Sequence, residues 1–235
     1  MTFVRAPTRS EFRDALIDIA PALLADMPMG LLFGALAVAK GMSPVEVLLM
    51  SALVFAGGAQ FAALGLWQAP LPVAALLVST ALINARHILM SVSLAPKLQH
   101  FTLLGRLFYF GLMADENWAL AERRATSRPL TVGYTLGMAV VFWANWVLWS
   151  FAGALLGPTL GDPSRFGADF AFVAIFIGLV VALTKGKRRS LATVVASAAT
   201  AAAVHAIIGS PWHVLSGALA GTATAALLHR PGAEG

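Results

Sequence analysis

Six polar side chains stand where this chain could do chemistry: Asp26, Gln60, Asn84, Arg86, Asp115 and Glu116, each set in or beside a long apolar run. Asp26 lies in Ala15–Ala39, which reads ALIDIAPALLADMPMGLLFGALAVA. About 20 mostly apolar residues are enough to cross a hydrocarbon core. A carboxylate in the middle of such a run costs about 2.5–3.5 kcal/mol on insertion scales, so it faces a bundle interior or a water-filled cavity and has a partner. Pro21, Pro28, Gly30 and Gly34 share the stretch, which predicts a helix interrupted near Asp26. A broken helix beside a buried carboxylate offers backbone groups to a polar ligand at mid-membrane depth. The plainer alternative is an aspartate near the membrane surface that caps a helix starting at Met27.

The second polar site is Gly57-Gly58 with Gln60 two residues on, inside the run Val45–Trp67. Each glycine weakens a helix by about 1 kcal/mol relative to alanine. The pair therefore permits an unwound stretch with free amides and carbonyls, or close packing of a neighbouring helix. The Gln60 amide would then bind a ligand or hold the broken backbone. Asn84, Arg86 and His87 fall in the third run, Val73–Leu94. Arg86 keeps its proton and needs a carboxylate, several carbonyls or water; Asp26, Asp115, Glu116 and a ligand carboxylate are the candidate partners, and snorkelling to an interface is the alternative. Asp115 and Glu116 are about 100° apart on a helix, so only one of them points inward. Asp26, Asp115 and Glu116 are the candidate proton carriers. Ser210 with His205 and His213 invites a hydrolase reading, but Ser210 sits in Gly-Ser-Pro without a G-x-S-x-G elbow. Gly30 and Gly34 have the spacing of a close helix crossing.

The elements that must position these groups are membrane helices. The 235 residues are 59% hydrophobic and 11% charged, with mean hydropathy +0.80, against about 25% charged in soluble domains. Apolar runs over 15–39, 45–67, 73–94, 101–121, 130–156, 168–184, 191–208 and 214–228 predict an all-α polytopic bundle of eight spans, with seven as the alternative count. Residues 1–14 form a short N-terminal segment, and 1–235 reads as one membrane domain. Lys40-Gly41-Met42-Ser43-Pro44 carries helix stop and start signals. The net charge of +5 comes from arginines and lysines at the ends of apolar runs, which fits anionic lipid rather than nucleic acid. The clusters at 5–13, 123–128 and 185–189 fall on one side of an eight-span bundle, so the N-terminus is expected to be cytoplasmic. There is no cysteine, which removes thiolate metal sites, disulfides and cysteine nucleophiles. No cleaved signal peptide, metal site or cofactor motif is read, and no P-loop is present.

Several motifs in order resemble one family. They are Asp26-Met27-Pro28-Met29-Gly30-Leu31-Leu32-Phe33-Gly34, Phe55-Ala56-Gly57-Gly58-Ala59-Gln60-Phe61, Asn84-Ala85-Arg86-His87, Ser91-Val92-Ser93-Leu94-Ala95-Pro96, Asp115-Glu116 and Gly167-Ala168-Asp169-Phe170. Together they resemble the AzlC family over about residues 10–228. The resemblance implies the large subunit of a branched-chain amino acid transporter, in several cases an exporter, working in the cytoplasmic membrane with a small AzlD-type subunit. It implies no enzyme and no cofactor, and it assigns no binding residue.

A zwitterionic amino acid needs a cation or helix N-termini for its carboxylate and an anion or carbonyls for its ammonium. Arg86 and helix N-termini meet the first need; Asp26 or carbonyls freed near Gly57-Gly58 meet the second. Phe33, Phe55, Phe61 and Met90 are candidates to line an apolar pocket. Coupling would come from an ion gradient or a partner. A transporter predicts a reachable polar cavity around Asp26, Gln60 and Arg86. The competing class, a non-transporting scaffold or assembly subunit, predicts those groups sealed by mutual pairing.

Overall fold

The computed structural model describes residues 9–160, 177, 188–209 and 212–228. Their regular structure is helical throughout, with no strand among the described residues. Two units are distinguishable, and each is taken by itself: Met1–Trp67 with Ile83–Pro163, and Gln68–Leu82 with Ser164–Gly235.

In the first unit, α1 (Arg9–Ala39) packs along α8 (Val132–Leu160). Small residues let the backbones touch. A Cβ added at Gly34 would land on the Ser150 carbonyl oxygen, and one at Gly153 on the Leu31 carbonyl oxygen. Gly30 and Gly34 thus make the close crossing their spacing implies. The core beside it holds Ile19, Phe33 and Ala37 from α1 and Met138, Phe142 and Trp146 from α8.

The interruption expected near Asp26 does not occur: α1 runs unbroken from Arg9 to Ala39 through Pro21 and Pro28. Each proline removes one backbone donor, not the helix. Unsatisfied backbone is costly in a membrane, so the loss of one bond per proline is preferred over unwinding. Asn145 of α8 packs against the same stretch, its Nδ2 donating to the Leu23 carbonyl at 3.3 Å.

The stop and start signals at 40–44 behave as read. Gly41 takes φ +90, and the amides of Gly41 and Met42 donate to the carbonyls of Val38 and Ala37 at 2.9 and 3.1 Å, a Schellman closure. Ser43 then opens α2 (Pro44–Val54) with a reciprocal capping box to Glu46. The chain continues as α3 (Gly57–Gly65), α4 (Val73–Asn84), α5 (Arg86–Leu94), a 3-10 turn over Ala95–Leu98, α6 (Leu103–Gly111) and α7 (Asp115–Ala125) before α8. Among the described residues, three helical stretches are long and apolar enough to cross a membrane: Glu11–Ala39, Val73–Leu98 and Val132–Gly157. The second and fourth apolar runs are each built from two short helices. The sixth run, 168–184, lies almost wholly outside the described residues.

In the second unit, α9 (Arg188–Ile207) and α10 (Trp212–Leu228) form a hairpin beyond a turn at Gly209, φ +87. Gly217 and Gly221 face Ser197, whose hydroxyl donates to the Gly217 carbonyl at 2.9 Å.

Candidate functional site

Three irregularities fall in consecutive apolar runs of the first unit. The first separates α2 from α3. Phe55 adopts φ 39, ψ 50, and Ala56 is extended, so α3 starts at Gly57. A left-handed conformation costs a non-glycine residue about 1–2 kcal/mol. Such strain persists only where the surroundings over-determine it, and it clusters at functional sites. Phe55 is held by burial and by an edge-on contact with Phe142, centroids 6.2 Å apart.

The second irregularity is milder. Ala85 stays in right-handed helical dihedrals, but the Ile88 amide donates to the Ala85 carbonyl instead of reaching Asn84. The Asn84 carbonyl lies 3.2 Å from His87 Nδ1 instead. The third separates α6 from α7. Asn117, fully buried, stitches it: its Oδ1 accepts from the Ala114 amide at 3.0 Å, and its Nδ2 donates to the Leu112 carbonyl at 2.9 Å. Asp115 and Glu116 occupy the first turn of α7, where the positive end of a helix favours carboxylates.

These irregularities converge. One cavity of about 150 Å³ is lined by Val54, Phe55 and Ala56 from the first, Asn84 and His87 from the second, and Phe110, Gly111 and Met113 from the third. An apolar cavity of about this size accepts benzene. His87 spans it, with Nε2 3.2 Å from the Met113 carbonyl. Asn84 Oδ1 is buried without a hydrogen-bond partner. Arg86 turns to Asp115, Nη1 to Oδ2 2.5 Å, with both side chains more than one third exposed (37% and 38%). Of the partners open to Arg86, Asp115 is the one taken. Arg86 Nε remains buried and unpartnered.

Gln60 is elsewhere and sealed, with no exposed surface. Its Nε2 donates to Ser51 Oγ at 3.3 Å, and its Oε1 accepts from Trp146 Nε1 at 2.8 Å. Ser150 Oγ lies 2.8 Å from Ser51 Oγ and 2.6 Å from the Trp146 carbonyl. A carbonyl can only accept, so Ser150 donates to it and accepts from Ser51. The four groups close a ring of hydrogen bonds that ties α2 and α3 to α8. Gly57 borders it, with the Trp146 ring 3.2 Å from where its Cβ would be; Gly58 follows on α3. Phe33 stacks on Trp146 and meets Phe61 edge-on, so both belong to this core rather than to the cavity. Phe55 is the one of the four expected pocket residues that lines the cavity; Met90 is buried.

Asp26 sits in mid-helix, half-buried, so it does not cap a helix starting at Met27. Asn145 Nδ2 donates to Asp26 Oδ2 at 3.2 Å, and Asn145 Oδ1 accepts from Trp149 Nε1 at 3.1 Å. Glu116 lies within electrostatic reach of Asp26 on one side and Arg86 on the other. Neither Asp26 nor Gln60 is bonded to Arg86; the structure distributes the expected polar cluster over three neighbourhoods.

Sequence reasoning passed over one more constellation. Glu11, Asp14 and Asp18 project from the start of α1 towards Arg123, Arg124 and Arg128. Arg124 is buried, 2.7 Å from Glu11 and 3.6 Å from Asp14, and its guanidinium stacks 3.9 Å above the Tyr134 ring. Thr131 and Tyr134 donate to Glu11 and Asp18. The signal was there in the acids at 11, 14 and 18, which share a helix face.

A family model described as AzlC protein matches residues 21–160. A protein of Archaeoglobus fulgidus called an uncharacterized membrane protein is 33% identical over 212 residues, 89% of this chain and 92% of that one. The inner membrane protein YgaZ of Escherichia coli is 28% identical over 234 residues, 94% of this chain and 91% of its own length. The branched-chain amino acid transport protein AzlC of Bacillus subtilis is 28% identical over 181 residues, 75% of this chain and 69% of that one. No solved structure matches. The matched region contains all three irregularities, the cavity and the Asp26 neighbourhood, and the chain belongs to the AzlC family.

Proposed function

We propose that this membrane protein carries a branched-chain or similar aliphatic amino acid outward across the cytoplasmic membrane, together with a small AzlD-type subunit, and that the cavity at the three irregularities is its substrate site. The observation that carries the reading is the convergence of residues 54–56, of 84 and 87, and of 110, 111 and 113 on one cavity, with Arg86 beside it in sequence. Irregular backbone at membrane depth is tolerated where it lines a cavity, and discontinuous helices are how transporters bring dipole ends and free backbone groups to a substrate. Relatedness to a protein named for branched-chain amino acid transport supports the substrate class.

In this reading Phe55, Phe110 and Met113 accept the aliphatic side chain. Asn84 and Arg86, with the backbone entering Gly57 and Gly58, hold the polar end. The carboxylate of the substrate competes with Asp115 for Arg86. Gln60 holds the α2–α3 break in shape rather than touching substrate. Asp26, Asp115 and Glu116 are the carboxylates that can take up a coupling proton. The N-terminus is cytoplasmic. The scaffold reading is favoured only by the sealing of Gln60, whereas Arg86 and Asp115 stay reachable.

The experiment is counterflow of labelled valine, leucine and methionine into liposomes holding the purified chain, with and without a small AzlD-type subunit. Saturable exchange, lost in Arg86→Ala, is expected. Absence of exchange of all three with both subunits present would contradict the reading.

A further inference from the structure

The side chains that line the cavity bring one unmet acceptor and no charge. Helix ends leave carbonyls without intrahelical donors, and α2 ends on this cavity at Val54, whereas the last carbonyls of α6 are met by the Leu112 and Met113 amides. The irregularity at Ala85 adds the Asn84 carbonyl. The ring of His87 reaches two carbonyls, those of Asn84 and Met113. The side chain that completes the wall, Asn84, holds Oδ1 buried and without a donor. No lysine, arginine or carboxylate lines the cavity. A buried acceptor left unmet is costly and calls for an occupant that brings protons.

We infer that this cavity reads the ammonium pole of its substrate, with Asn84 Oδ1 as the accepting side chain. The inference rests on the proposed transport of amino acids and adds which end of the molecule the cavity selects. A primary ammonium brings three donors and a full positive charge to Asn84 Oδ1 and to the negative end of α2. The aliphatic group then lies against Phe55, Phe110 and Met113. A hydroxy acid of the same carbon skeleton brings one neutral donor in place of three charged ones, and an oxo acid brings none, so both bind less tightly. Sites built to hydrogen-bond a substrate group discriminate strongly against analogues that lack it.

The test measures displacement of labelled L-valine from the purified protein by L-valine, by isobutylamine, which lacks the carboxylate, and by 2-hydroxy-3-methylbutanoate, which lacks the ammonium. It uses the unaltered protein, Asn84→Leu and Asn84→Asp, in sodium and in choline buffers. The unaltered protein should take valine at least about 10-fold better than the hydroxy acid, the scale of one lost bond to a charged group. Asn84→Leu should lose most of that preference, and Asn84→Asp should keep it and bind isobutylamine more tightly. An unchanged preference in Asn84→Leu, with Asn84→Asp also unchanged, would overturn the inference while valine binding itself upheld the transport reading. Strict dependence on sodium, abolished in Asn84→Leu, would overturn it by assigning the acceptors to an inorganic cation. Failure of the unaltered protein to bind any of the three compounds with the small AzlD-type subunit present would overturn the transport reading and the inference with it.

Discussion

Replacing Gln60 with methionine removes both hydrogen bonds of a fully buried amide while keeping its length and volume. The ring Gln60–Ser51–Ser150–Trp146 then opens at two points. Ser51 loses a donor but still gives its own proton to Ser150, so the loss there is small. Trp146 Nε1–H, 2.8 Å from Gln60 Oε1, is left without an acceptor in a site with no exposed surface on Gln60. An orphaned buried donor costs about 1–3 kcal/mol, and the membrane interior offers no water to replace the partner. Gln60→Met should therefore destabilise the purified protein by about 1–3 kcal/mol, a factor of about 5–150 in the folded ratio. Trp146→Phe removes the donor as well as its partner, so the double variant should cost less than the sum of the two singles, by about 1 kcal/mol or more. Reversible denaturation in detergent–lipid micelles reads the energies. Valine binding on the folded fraction separates structure from recognition and should keep its Kd. Strict additivity of the two substitutions, or a Kd weakened 10-fold in Gln60→Met without loss of stability, would refute the reasoning.

Other outcomes follow from the same geometry. Gly34→Ala drives a methyl group onto the Ser150 carbonyl, and α1 and α8 must separate; a cost of about 1–3 kcal/mol in the same denaturation assay is expected. Glu11→Gln leaves Arg124 with Asp14 alone at 3.6 Å, and should cost about 1–3 kcal/mol, less than for a wholly buried pair because Glu11 is 24% exposed. Arg86→Lys should rescue little of the exchange lost in Arg86→Ala, because an ammonium lacks the planar fork; full exchange in both variants would remove Arg86 from the site. Asp26→Asn should abolish gradient-driven valine transport while sparing exchange if Asp26 carries the proton; equal retention of both activities would remove it from the mechanism.

Much of the fold could be read from local signals. The turn at Gly41–Pro44, the Gly30–Gly34 crossing and the break before Gly57 each depend on residues within one or two helical turns. The α6–α7 break was not legible. Its signal is Asn117, which satisfies Ala114 and Leu112, but Asp115-Glu116-Asn117 reads equally as the polar end of a helix. The continuity of α1 was not legible, because two prolines read locally as a break, whereas α1 packs along α8 with Asn145, 122 positions beyond Leu23, bonded to the Leu23 carbonyl. The same distance in sequence hid the roles of the polar residues. Gln60 looked like a binding amide, and only its partner 86 positions away shows it to be sealed. Arg86 had four candidate partners, and choosing Asp115 needed the packing of α5 against α7. The candidate cavity was partly legible, through Phe55 and Asn84. His87 stood beside Asn84 in sequence without a role, and Phe110 and Met113 entered it only with the third break.

The central claim is that the residues around the three irregularities bind substrate. The chain has no cysteine, so Gly111→Cys provides a single thiol at the cavity wall, on a residue that is exposed in the structure. The measurement is its rate of modification by a small maleimide in membranes, with rising L-valine. Saturable protection is expected at Gly111→Cys and none at Ser127→Cys, which lies among the arginines near α1. Equal modification rates at Gly111→Cys with and without saturating valine, in a preparation that exchanges valine, would contradict it.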